Sequence, residues 1–97
     1  MPTYVSLLNF TDQGIRNVKD TTKRAKAFAA LAKKTGIKVK AEYWTMGRYD
    51  LIIIMEAPGD EAMTRLQLTL GSLGNVRTET LRAFSAAEMD KMLKGME

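Results

Sequence analysis

The chain predicts an α+β domain whose elements run β-α-β-β-α-β, followed by a short terminal helix. Three observations carry this: apolar residues at helical spacing in two segments, strand alternation in others, and glycine or proline where one pattern yields to the next. At 97 residues the length is that of one domain, residues 1–97.

Thr3–Phe10 (TYVSLLNF) is rich in β-branched, aromatic and aliphatic residues and runs into the turn-prone Thr11-Asp12-Gln13-Gly14, so it reads as the first strand. From Ile15 to Thr35, Val18, Ala25, Phe28, Ala29 and Ala32 recur at helical spacing. Asp12 or Asp20 is placed to cap this stretch, which leaves its first turn as a separate short helix or loop. Gly36 stands where a helix gives way to a left-handed residue. Ile37–Met46 alternates Ile37, Val39, Ala41 and Tyr43 against Lys38, Lys40, Glu42 and Trp44, hence a second strand. Gly47-Arg48 is the turn before a third strand, Tyr49–Ala57, and so short a link makes the pair an antiparallel hairpin.

Pro58-Gly59-Asp60 ends that strand and opens a helix capped by Asp60, with Ala62, Met63, Leu66, Leu70 and Leu73 as its core stripe and Gly74 as its end. Asn75–Phe84 is threonine-rich and reads as the fourth strand. Ser85 and Glu88 are spaced as a capping box for a last helix reaching about Leu93.

Right-handed crossovers joined by a hairpin give a ferredoxin-like sandwich, a four-stranded antiparallel sheet of order 4-1-3-2 with both helices on one face. The third strand bears on what covers the other face. Tyr49, Leu51, Ile53 and Met55 lie on one side of it and Asp50, Ile52, Ile54 and Glu56 on the other, so both sides are apolar in the middle. That is the pattern of a strand buried twice over. Two helices cover one side, and a second subunit packed sheet to sheet covers the other, burying about 800 Å² per partner. A domain this small also buries a modest fraction of its surface unaided. The expected partner is therefore the chain itself, as a homodimer or higher homo-oligomer.

Composition excludes more than it assigns. The chain has no histidine and no cysteine, which removes thiolate nucleophiles, Ser-His-Asp triads, zinc fingers and His- or Cys-ligated haem. The acidic residues are scattered, so no metal and no cofactor is expected. Without disulfides, a secretory leader or an apolar run of spanning length, a cytoplasmic protein with no membrane role is the simplest expectation. The net charge of +4 is unevenly spread: Asp12–Lys40 holds nine basic and two acidic residues (+7) and the rest six and nine (−3). Lys19, Lys23, Lys26 and Lys33 form a stripe at helical spacing, but no aromatic interleaves it, so a solvated helix face is expected and nucleic acid is not. Gln13-Gly14-Ile15-Arg16 falls short of the longer acylphosphatase phosphate loop, with its arginine two positions early.

At Gly47-Arg48-Tyr49-Asp50 the chain resembles the GYD-domain family, named for its Gly-x-Tyr-Asp hairpin. Further matches are Glu56-Ala57-Pro58, the run Gly71-Ser72-Leu73-Gly74-Asn75-Val76-Arg77-Thr78-Glu79-Thr80, and the early Thr11-Asp12-Gln13-Gly14 and Val18-Lys19-Asp20 segments. The resemblance spans nearly the whole chain. It implies a dimeric α/β-barrel of ferredoxin-like protomers and little about activity.

The candidate ligand-binding residues are polar or aromatic groups bordering the third strand: Trp44, Arg48, Tyr49, Asp50 and Glu56. Trp44 and Tyr49 could wall an apolar ligand, or simply pack the hairpin or an interface. Asp50 and Glu56 are about 20 Å apart along a strand, too far to share a proton, so each acts alone or beside Arg48, Arg77 or Arg82. The leading expectation is a small, oligomeric, non-enzymatic protein holding a partly apolar small molecule between sheet and helices. One alternative is a cofactor-independent oxygenase or isomerase with Tyr49, Asp50 or Glu56 in proton transfer. Another is a regulatory or assembly module without a ligand.

Overall fold

The computed structural model describes residues 1–96; residue 97, the end of the expected domain, lies outside them. Four strands, β1 (Thr3–Phe10), β2 (Lys38–Trp44), β3 (Leu51–Glu56) and β4 (Val76–Ala83), form one antiparallel sheet of order β2-β3-β1-β4. This is the expected 4-1-3-2. The helices are α1 (Asp12–Arg16), α2 (Thr21–Lys34), α3 (Asp60–Ser72) and α4 (Ala86–Lys94), with a 3₁₀ turn at Val18–Asp20 before α2.

The long helical stretch is in three pieces, its first turn a separate short helix as allowed, and neither expected aspartate caps it. Thr11 takes that role for α1, its hydroxyl accepting from the Gly14 amide, while Asp20 precedes α2 without a side-chain cap bond. At the other end of α2, Gly36 sits at φ +79°, and the Gly36 and Ile37 amides donate back to the Lys33 and Ala32 carbonyls. Both bonds of the Schellman motif are present, so the helix must stop there. Gly59, not Asp60, is the cap residue of α3; Asp60 is its first helical residue and accepts a hydrogen bond from the Tyr4 hydroxyl. The Ser85–Glu88 capping box of α4 is complete.

The core lies between α2, α3 and one face of the sheet. Phe28 and Ala32 from α2 and Met63 and Leu66 from α3 close over Tyr4 and Leu8 of β1 and Leu51, Ile53 and Met55 of β3. Leu31 belongs to the packed face of α2, whereas Val18 and Leu73 are exposed. Ser6, the buried polar residue of this face, shares a 2.6 Å hydrogen bond with the Thr80 hydroxyl.

Two local irregularities set the surroundings of the site. At Gly14 an added Cβ would overlap the Asn75 carbonyl, so the start of α1 lies flush on the α3–β4 turn. Thr11 and Gln13 fasten the same joint through Gly74, Leu73 and Asn75. In β2 the register slips between Val39 and Ala41. This β-bulge reverses the side-chain parity of the rest of the strand. Simple alternation puts Val39, Ala41 and Tyr43 on one face. The bulge instead aligns Glu42 and Trp44 with Ile53 and Leu51 on the helix-covered face, and sends Ala41 and Tyr43 to the opposite one.

Candidate functional site

Between α2 and the sheet, the fold leaves a cavity of about 310 Å³. Leu8, Leu51 and Ile53 form its floor, Phe28 and Leu31 its roof, and Phe10, Leu70, Leu73 and Val76 one end. The volume sits at the lower end of ligand pockets, which span about 300–1,000 Å³. Its walls are apolar because alternate residues of β1 and β3 must face the helices, and the space persists because small alanines, Ala25 among them, line the α2 side.

Four polar side chains reach the lining: Thr21, Arg24, Glu42 and Asn75. Thr21 accepts a 3.0 Å hydrogen bond from the Trp44 indole. Arg24 donates to the Asn17 carbonyl at 2.8 Å and the Gly14 carbonyl at 3.3 Å. Asn75 accepts from the Gln13 amide at 3.0 Å. Glu42 is half-buried and has neither a hydrogen-bond partner nor an ion-pair partner among the described residues. Burial alone pushes its carboxyl above the usual carboxylate range.

None of the five residues singled out from the sequence lines this cavity. Trp44 pins the edge strand to the start of α2 through Thr21. Asp50 is a strand-end tether: its carboxylate accepts from the Phe10 amide at 2.9 Å and its own amide donates to the Leu8 carbonyl. Tyr49 leaves the expected alternation, because β3 begins only at Leu51 and residues 45–50 form a six-residue loop tied by Thr45 to Asp50 and Tyr49. Its hydroxyl donates to Glu79 at 2.9 Å, on the face away from the helices, and that bond raises its pKa. Arg48 lies 5.8 Å from the Tyr49 ring centre. Glu56, at the far end of β3, faces Lys40 at 3.8 Å. The structure thus gathers Arg48, Tyr49 and Asp50 at one end of the sheet and separates Glu56 from them. The acid–base groups of the enzymatic alternative are outside the cavity lining.

Sequence reasoning missed Glu42 and Arg24. Alternation placed Glu42 outward with the lysines of β2, and nothing in the sequence announces the bulge that turns it inward. Arg24 is one cation of a basic stretch until the tertiary fold brings α2 over the sheet.

The second surface is the open face of the sheet. Val5 and Leu7 of β1 and Ile52 and Ile54 of β3 are half-buried there, flanked by exposed Tyr43 and Leu81. No helix lies across it in the described residues. None of the described helices is long and apolar enough to cross a membrane.

The sequence profile of the GYD domain matches residues 4–93. The chain belongs to the GYD-domain family. A Thermus thermophilus relative is 34% identical over 95 residues, covering 97% of this chain and 100% of the relative, and bears the name glutamine synthetase and cystathionine beta-lyase binding protein. The crystal structure of TTHA0845 from Thermus thermophilus superimposes with a TM-score of 0.56 at 25% identity, covering 89% of this chain and 96% of that one. This GYD protein therefore shares its α+β architecture with a solved structure, and one of its relatives is named for binding other proteins.

Proposed function

We propose that this GYD protein is a small binding protein that works as a homodimer or higher homo-oligomer and holds a partly apolar small molecule between its sheet and helices. The observation that carries the ligand reading is the cavity of about 310 Å³, in the layer where a small domain would ordinarily pack solid. Trp44, at the edge of β2, closes the layer beside Thr21. Arg48, Tyr49, Asp50 and Glu56 act in this reading as framework for the ends of β3. The open face supports the oligomer: Val5, Leu7, Ile52 and Ile54 put aliphatic surface where a solvated sheet carries polar residues. Two such sheets packed face to face give the dimeric α/β-barrel.

Native mass spectrometry of the purified protein, repeated after denaturing extraction, tests both parts. An oligomer carrying stoichiometric extra mass supports them together. A ligand-free oligomer keeps the assembly and moves the weight to the second reading. A stable monomer overturns the barrel.

That second reading is a regulatory module that docks on another protein, and two observations favour it: the same open apolar face and the relative's name. Glutamine synthetase and cystathionine beta-lyase are the partners to try, by pull-down of each purified enzyme with this chain. Retention of neither removes the support that the relative lends.

A further inference from the structure

We infer that the cavity takes a ligand with an apolar body and a cationic amine head, the head pairing with the Glu42 carboxylate. The inference rests on the ligand reading above and names the chemistry of its ligand. Among the four polar side chains at the lining, three are already engaged: Thr21 by Trp44, Arg24 by two backbone carbonyls, Asn75 by Gln13. Glu42 is the one with no partner among the described residues.

Its position is the product of a specific device. Without the slip between Val39 and Ala41, residue 42 would project from the open face, as its neighbour Tyr43 now does. The bulge instead seats a carboxylate opposite Ile53, against the floor formed by Leu8, Leu51 and Ile53. A half-buried charge with no partner weakens the fold that holds it. A cationic head removes that penalty and forms a charge-assisted hydrogen bond, while the rest of the ligand covers Phe28 and Ile53. A carboxylate head is disfavoured on the same grounds, since Glu42 would repel it and the Arg24 fork is turned to the Asn17 and Gly14 carbonyls.

A matched series with one alkyl chain tests the head group: n-hexylamine, n-hexanol and hexanoate, titrated calorimetrically into the intact protein at pH 7, with NMR shifts of the Ile53 methyls locating the site. Hexylamine is expected to bind about tenfold or more tighter than hexanol, the range of one charge-assisted hydrogen bond. Glu42→Gln is expected to abolish that preference and leave hexanol unchanged. Equal binding of amine and alcohol, or tightest binding of hexanoate, overturns the amine head while the ligand reading stands. No shift at Ile53 with any of the three overturns both. The wild-type series decides without the variant, so a folding defect in Glu42→Gln would not obscure the answer.

Discussion

The two faces of β3 are built from nearly the same residues and have different fates. Leu51, Ile53 and Met55 point to the helices and retain 4%, 2% and 1% of their exposure. Ile52 and Ile54, interleaved with them, are only half-buried on the side that none of the described helices covers. The first set is explained by the protomer: closing Phe28, Ala32, Met63 and Leu66 over it contributes about 1.5–3 kcal/mol per fully buried large side chain. The second set is not needed for that closure. In the proposed sheet-to-sheet assembly, this aliphatic pair in the middle of the open face is what packs against the partner.

The comparison can be broken at either face. The largest effect is expected from Ile53→Ala, which strips a buried side chain from between the sheet and the helices, at the floor of the cavity, and should cost about 2–5 kcal/mol in denaturant unfolding. A loss below about 1 kcal/mol would mean the helix-covered face is not the stabilising core. Next comes Ile54→Lys, expected to weaken self-association by about 2 kcal/mol, as loss of a central interface residue does. Sedimentation velocity reads that directly. An unchanged sedimentation coefficient would place the interface elsewhere.

Polar groups sharpen the contrast within the covered face. Tyr4 is 3% exposed and donates to Asp60, a bond that, with burial, raises its pKa. Tyr4→Phe should cost about 1 kcal/mol, one buried hydrogen bond, seen as a lower unfolding midpoint. Glu42 on the same face has no partner among the described residues, so its removal should act in the opposite direction. Its folded pKa is raised by burial, so the folded state binds its proton more tightly than the unfolded chain. The penalty is therefore full above the folded pKa and vanishes as pH falls below the unfolded value. Glu42→Gln should slightly raise the melting temperature at pH 7 and make no difference near pH 3. Since the carboxylate is still partly in water, this is the smallest of the four effects. A melting temperature lowered at pH 7 would show that Glu42 has a stabilising partner in the folded protein.

Much of this was readable beforehand, and the misses have identifiable causes. The strands and their order followed from alternation, turn residues and the handedness of crossovers, and β1 ran from Thr3 to Phe10 as expected. Gly36 and Ser85-x-x-Glu88 marked a helix end and a helix start because each motif satisfies its own backbone groups locally. Arg48, Tyr49 and Asp50 of the GYD hairpin stand out in the sequence as polar or aromatic groups beside an apolar strand. Asp50 turned out to spend its carboxylate on the Phe10 amide, a partner 40 positions away in sequence. A binding space between sheet and helices was expected, but which residues line it, Glu42 among them, was not readable.

The sequence by itself determined the alternation, the caps, the exclusion of histidine and cysteine chemistry, and the double-sided apolar character of β3. These depend on residue type and on neighbours within one or two turns. Only the tertiary structure decided which carboxylate faces the cavity, because one slipped residue in β2 inverts every side chain after it and leaves composition and spacing untouched. Only it decided that space remains under α2, because a void belongs to no residue: it is the difference between two surfaces brought together by distant parts of the chain.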